Sequence, residues 1–263
     1  MKLVSLNIWG GMRFEALMEF VKAQAADTDI FCFQEVFSTP SDKTSSGTKR
    51  VSRVNMFQEL EKALPGFKSF FAPTQEGWTL DGFVDFPVFW GLAAFVRKTH
   101  TVQDTGEFYV YGHYNGRTIE RDDPQYMGRN VQYLQLSNQG RQITVCNLHG
   151  YWVRAAKTDT PERIIQSEKI AEFVASREGD TIVCGDFNLQ PETESMKILE
   201  SKMRNLIKEF EIKTTRSELY ADLKVFNDHF ADYVLVSPGV KVLDFQVPYI
   251  LASDHLPMIL RFD

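Results

Sequence analysis

An apolar run over residues 3–8 has the length and composition of a short buried strand. Phe14, Leu17, Met18 and Val21 then recur at i, i+3, i+4 and i+7, the spacing of one helix face, so an amphipathic helix is expected to about Ala26. A second strand is expected over residues 29–34, ending at Glu35. Residues 38–53 are polar, rich in Ser, Thr and Lys, and without periodicity, which predicts a loop. Residues 56–64 read as a helix stopped by Pro65-Gly66, and strands follow at 68–71, 91–97 and 101–109. Residues 111–129 form an irregular segment. The runs 130–136 and 142–148 read as a hairpin across Asn138-Gln139-Gly140. Thr160-Pro161-Glu162 opens a helix with a hydroxyl cap and proline in the first turn. Its expected inner face is Ile164, Ala171, Val174 and Ala175. An apolar strand over 181–184 ends at Gly185-Asp186, a helix is expected over 195–210, and the last strands fall near 231–236, 242–247 and 255–261.

No internal repeat or linker divides the 263 residues. The reading is a single α/β domain over residues 1–263. Mixed strands with few crossover helices predict two packed sheets flanked by helices. Hydrophobic content of 43% and charged content of 24% are those of an ordinary globular enzyme. A net charge of −6 gives no overall basic footprint for nucleic acid. Cys32, Cys146 and Cys184 lie inside apolar strand-like runs. Their odd number and wide spacing suit buried free thiols rather than a disulfide framework. The chain enters its first strand directly, with no stretch of signal-peptide length and no run that would span a bilayer. A cytoplasmic, monomeric protein is the expectation.

Three motifs stand where an expected strand gives way to a loop: Gly185-Asp186-Phe187-Asn188, Ser253-Asp254-His255 and Asn147-Leu148-His149-Gly150. Asn7 and Glu35 close two further apolar runs, and Asp232 opens another. Each motif alone also suits an ordinary turn. Jointly they supply carboxylates, carboxamides and two imidazoles at strand ends. That inventory suits phosphoester cleavage on a hard divalent cation: carboxylate oxygens hold the ion while His and Asp move protons.

In this order the motifs resemble the endonuclease/exonuclease/phosphatase superfamily of metal-dependent phosphodiesterases, and the resemblance spans the chain from Asn7 to His255. It implies a four-layer α/β sandwich with the site at the edge of the two sheets. It also implies Glu35 as principal ligand of Mg²⁺ or Mn²⁺, assisted by Asn7 and Asp254. Asp186 and Asn188 would position the attacking water and the phosphate. His255, paired with Asp232, would act as base or phosphate-binding acid, and His149 would assist the leaving group. The chain departs from parts of the family. Where the deoxyribonuclease branch supports its first histidine with a carboxylate, this sequence aligns Trp90. Leu189-Gln190-Pro191 and Ser253-Asp254-His255 differ from the inositol-phosphate phosphatase motifs, and His149 stands where apurinic endonucleases favour tyrosine.

The substrate stays open at this point among a small phosphoester, a lipid head group and DNA or RNA. A non-catalytic binding module on the same fold is the alternative of another class. Arg117, Arg121 and Arg129 in the irregular segment are candidates to grip phosphate, and Tyr151 and Trp152 to line a substrate pocket. Lys49, Arg50 and Arg53 read as a solvated basic cluster.

Overall fold

Alternation along the first strand, β1 (Lys2–Asn7), sets the layout. Leu3 faces an interior shared with a second sheet, while Val4 and Leu6 face helices on the opposite side, the two-residue period of a pleated strand. The computed structural model describes residues 1–47, 52–114, 116, 124–138, 140–221 and 223–263. The remaining strands are β2 (Ile30–Ser38), β3 (Phe67–Glu76), β4 (Trp78–Thr79), β5 (Gly82–Phe83), β6 (Phe89–Arg97), β7 (Val102–Tyr111), β8 (Arg129–Asn138), β9 (Arg141–His149), β10 (Asp180–Asp186), β11 (Arg204–Asn205), β12 (Asp232–Val236), β13 (Val242–Gln246) and β14 (Met258–Phe262). The α-helices are α1 (Phe14–Gln24), α2 (Met56–Ala63), α3 (Pro161–Ala175), α4 (Glu194–Glu200), α5 (Leu206–Glu209) and α6 (Leu223–Phe226).

Two six-stranded sheets result, in the orders β13-β14-β1-β2-β6-β3 and β11-β12-β10-β9-β8-β7. Each has one parallel pair at its centre, β1 with β2 and β9 with β10, between antiparallel neighbours. Leu3, Ile30, Cys32 and Val96 of the first sheet share a core with Val145, Ile182 and Cys184 of the second. Helices α1 and α2 bury Leu17, Val21, Met56 and Leu60 on the outer face of the first sheet. Phe173 of α3 stacks on Phe108 and Tyr133 outside the second sheet. This is the expected four-layer α/β sandwich. The three cysteines are buried and free.

The inter-sheet core is not wholly apolar. Gln34 Nε2 donates to Asn147 Oδ1 across the sheets at 2.7 Å, and Asn147 Nδ2 donates back to the Phe33 and Ala93 carbonyls at 3.1 and 3.2 Å. Asn147 therefore ties the sheets at a fixed level just beneath His149. Its removal leaves buried polar groups without partners, a loss of about 1–3 kcal/mol. Asn147→Ala should lower the urea midpoint accordingly; an unchanged midpoint would show the tie to be dispensable.

Several expectations need correction. The expected strand ends are short of the observed ones: β2 runs on to Ser38, β3 to Glu76 and β7 to Tyr111. The last strand starts later, at Met258, leaving His255 in the preceding loop, bridged to Arg216. The helix expected over 195–210 is two short helices, α4 and α5, separated by β11. Asn205 breaks it by capping α5 through a bond from the Ile207 N–H at 3.0 Å. In α3 the buried face is Arg163, Gln166, Ser167 and Ile170, while Ala175 is exposed. The reason is that α3 roofs a polar loop. Gln166 accepts from the Tyr151 N–H at 2.7 Å and donates to the Phe187 carbonyl at 3.1 Å, and Arg163 donates to the Ala156 and Thr158 carbonyls.

Candidate active site

The four strands of the two parallel pairs end at the same edge of the sandwich. Asn7, His149 and Asp186 stand at three of those ends, and Glu35 lies three residues before the fourth. A cleft at the carboxyl ends of parallel strands is the general ligand position in α/β sheets. Leu3, Ser5 and Asn7 share the inward face of β1, so Asn7 enters the cleft by simple alternation. Alternation alone would turn Glu35 outward with Phe31 and Phe33. Instead the pairing of β2 with β6 shifts register between Phe33 and Val36, and Glu35 takes a left-handed φ of 57°. This bulge re-aims the carboxylate into the cleft. The expected strand end at Glu35 is thus a kink within a longer strand.

In the second sheet, Asp186 is registered beside His149 on one side and Asp232 on the other. Three functional side chains therefore stand at one level on three adjacent strands. Gly185 makes the spacing possible: at φ 131°, a Cβ there would lie 2.2 Å from the Leu148 carbonyl oxygen. Asn188 also has a positive φ, 56°, and its N–H donates to Asp186 Oδ1 at 2.9 Å, closing a tight strand exit.

Asn7 Nδ2 bridges the sheets, donating at 3.2 Å to both Glu35 Oε1 and Asp186 Oδ2, while Asn7 Oδ1 accepts from the Trp9 N–H. His255 Nδ1 donates to both Asp232 oxygens, at 2.9 and 2.8 Å. Arg216 Nη1 donates to His255 Nε2, which places the ring proton on Nδ1. His149 Nε2 lies 3.9 Å from Glu35 Oε1 and 3.8 Å from Asp186 Oδ2. In place of a supporting carboxylate, the Trp90 ring packs against His149 at 5.2 Å between centroids. Asn188 Nδ2 donates to the Gly150 carbonyl, and the buried Asn188 Oδ1 has no hydrogen-bond partner among the described residues.

Burial and the neighbouring charges set the protonation states. Burial and the Asp254 carboxylate raise the pKa of Glu35 to about 7. Burial also acts to raise Asp186, but His255, Arg216, His149 and Lys157 outweigh it and hold the carboxyl well below the usual range. Burial and Arg129 press His149 down to about 3, so its imidazole is neutral. For His255, burial and Arg216 oppose protonation, yet Asp232 and Asp254 prevail and the pKa rises.

These charges indicate where a cation fits. Glu35, Asp254 and Asp186 form an oxygen-rich, mutually repelling group, and the raised pKa of Glu35 is what a bound cation would reverse. Asp186, Asp232 and His255 also lie close enough together to share an ion. There, however, His255 Nδ1 is already committed to Asp232, and the Arg216 guanidinium lies against Nε2. The donor set at Glu35 fits a hard divalent ion better.

The structure brings Asn7, Glu35, His149, Asp186, Asn188, Asp254 and His255 to one cavity and its floor, with Asp232 behind His255. Arg129 and Trp152 line it too. Tyr151 is buried beside Tyr111, with ring centroids 4.3 Å apart, and is not among the cavity's lining residues. Arg117 and Arg121 lie outside the described residues, as do Lys49 and Arg50; Arg53 packs over the Phe14 ring. Sequence reasoning missed two buried cations. Arg216 contacts His255 and lies 3.9 Å from Asp254 Oδ2. Lys157 is 1% exposed, its pKa lowered to about 7 by burial and Arg216. Neither sits in a periodic or motif-like stretch, so no local signal marked them.

Residues 4–255 match the Endonuclease/Exonuclease/phosphatase family, and the chain belongs to that family. Its members are generally hydrolases of phosphoesters that use divalent metals. Among curated proteins no match is found. Solved structures are similar in fold. A family protein from Leptotrichia buccalis has a TM-score of 0.74 at 16% identity, covering 100% of this chain and 99% of that one. A mannosyl-6-phosphatase from Bacteroides thetaiotaomicron gives 0.66 at 17% identity, with 100% and 99% covered. The human Nocturnin catalytic domain with bound sulfate gives 0.62 at 21% identity, with 100% and 93% covered.

Proposed function

We propose that this protein is a Mg²⁺- or Mn²⁺-dependent phosphoester hydrolase acting on a compact substrate. One observation carries the reading. Carboxylates, a neutral imidazole and a hydrogen-bonded Asp–His pair from both sheets converge in one cleft, with the Asp232–His255 pair in direct contact at 2.8 Å and His149 within 4 Å of both Glu35 and Asp186. Glu35 and Asp254 would hold the ion, with Asn7 assisting through the remaining lone pair of its amide oxygen. When bound, the ion would polarise the phosphoryl oxygens and offset charge in the transition state.

The chain's own groups supply the rest. Ionised Asp186 accepts a hydrogen bond from the attacking water, and Asn188 Oδ1, free of partners among the described residues, accepts a second and orients it. Arg216 and Arg129 bind phosphate oxygens. Once Arg216 turns to the phosphate, His255 Nε2 is free to accept a proton, and Asp232 stabilises the imidazolium, as a third group does in other hydrolase sites. His149, neutral at pH 7, donates a hydrogen bond to charge developing on the leaving group. An acidic net charge of −6 and a cavity of about 580 Å³ favour a compact substrate over a long polynucleotide.

The direct test is release of 4-nitrophenol from bis(4-nitrophenyl) phosphate with Mg²⁺ or Mn²⁺, abolished by EDTA. Full activity in EDTA would sink the metal-dependent reading. Metal affinity should itself depend on pH. Glu35 must lose its proton to bind, and its metal-free pKa is about 7. Affinity should therefore be full above pH 7 and weaken toward tenfold per pH unit below it, with proton release visible by calorimetry in two buffers of different ionisation heat. Glu35→Gln should abolish both the affinity and the proton release. A flat pH dependence would remove Glu35 from the ligand set.

A further inference from the structure

All four tryptophans of the chain, Trp9, Trp78, Trp90 and Trp152, line the one cavity that holds the site. They reach it from separate parts of the sequence. Trp9 follows β1 of the first sheet and Trp152 follows β9 of the second, so the two flank the cleft from opposite layers. Trp78 and Trp90 form a buried edge-to-face pair, 5.8 Å between centroids, whose inner member packs on His149. Trp9 and Trp152 are partly exposed. Trp9 is also held at a left-handed φ of 50°, a conformation rare for an aromatic residue and one that surrounding structure must impose.

Packing of the fold does not account for partly exposed indoles at the ends of strands from two different sheets. The rest of the described wall is equally telling. Beyond the groups at the phosphate end, it offers Met12, Leu80, Ala221, Tyr220 and Arg154, and among the described residues no Asn, Gln, Ser or Thr. A sugar ring carries several hydroxyls, and against such a wall only the Arg154 guanidinium, the Tyr220 hydroxyl and the indole N–H groups could replace their water, too few to pair them all. An aromatic ring loses nothing of the kind, and it gains stacking area on indole faces.

We infer that Trp9 and Trp152 are specificity-determining residues that clamp an aromatic ring carried by the substrate's phosphate, so that aryl or nucleoside phosphoesters are the substrate class. The inference rests on the phosphoester reading of the site. Its test is built so that the two can fail separately.

Because every tryptophan lies at the cavity, intrinsic fluorescence reports occupancy directly. Phenylphosphonate and methylphosphonate, neither of which is hydrolysed, are titrated in the presence of Mg²⁺. Phenylphosphonate should bind at least about tenfold tighter, within the roughly 5- to 150-fold worth of one stacked ring. Trp152→Ala and Trp9→Ala should each reduce that ratio to within about threefold, whereas Trp152→Phe, which keeps a ring, should retain most of it. Hydrolysis of three primary phosphomonoesters with matched leaving groups gives the second arm. The order of kcat/KM should be adenosine 5′-phosphate above glucose 6-phosphate and glycerol 3-phosphate. Equal binding of the two phosphonates, or a ratio unmoved in both alanine variants, would overturn the clamp. So would glucose 6-phosphate as the best substrate, in favour of a carbohydrate. If neither these esters nor bis(4-nitrophenyl) phosphate is cleaved while the fluorescence ratio holds, the hydrolase reading fails and the aromatic site stands.

Discussion

Replacing His255 with alanine should lower kcat by roughly 10²–10⁴, with a smaller change in KM, the range for a general acid–base group. The side chain is buried, fixed by two bonds to Asp232 and touched by Arg216, so in the proposed mechanism it serves as a positioned proton acceptor rather than a binding surface. Asp232→Asn should give a milder defect, because the imidazole stays in place but loses its orienting carboxylate. It should also leave a signature in the pH profile. Asp232 raises the His255 pKa; without it the pKa falls, and at saturating metal the acid limb of kcat/KM should move to lower pH. A His255→Ala variant retaining more than half of wild-type kcat would show that the motif is misread, and so would an Asp232→Asn variant worse than His255→Ala.

The second large effect belongs to Arg216. The residue is 4% exposed, and its guanidinium lies over the Tyr220 ring at 4.0 Å and approaches both His255 and Asp254. A planar cation so placed can grip phosphate oxygens as negative charge grows on them, a contribution of about 10²–10³ in rate when one such donor is lost. Arg216→Lys should not restore it, since an ammonium cannot reproduce the two-pronged geometry. The lysine variant keeps the buried positive charge beside Asp186, so it separates chemistry from stability. A normal melting temperature with kcat/KM down at least tenfold is the expected pairing. Wild-type turnover by Arg216→Lys would reduce Arg216 to a structural counter-ion.

The contrast between His255 and Arg216 shows what could be read from the sequence. Asn7, His149 and Asp186 were legible because each ends an apolar strand, and a pleated strand fixes the face of its last residue. The family resemblance then put them in one site and gave the layered fold, which the match over residues 4–255 supports. Glu35 was legible as a residue but not as a direction, because its aim depends on a bulge that strand periodicity does not contain. Arg216 and Lys157 were invisible: their segments are irregular, and a charged side chain there reads as solvated until the rest of the chain covers it. The same blindness misjudged α3. Ala171 and Val174 pack partly buried against the core as their spacing predicts, but the most deeply buried positions include Arg163 and Gln166, because the helix roofs carbonyls of the site loops.

The place of β14 has a consequence for how the chain is made. β1 lies between β2 and β14 in the first sheet, and its residues Lys2 to Ser5 pair with Arg261 to Met258. During synthesis the early strand waits for a neighbour translated roughly 250 residues later, on the order of 10–50 s at usual elongation rates. Until then one edge of β1 is bare, an open template for pairing with other chains. Asn7 and Glu35 are likewise made long before His255, which arrives just ahead of β14. A chain released before β14 is made keeps that bare edge, and the burden of escorting it falls on whatever holds nascent polypeptides apart in the cell.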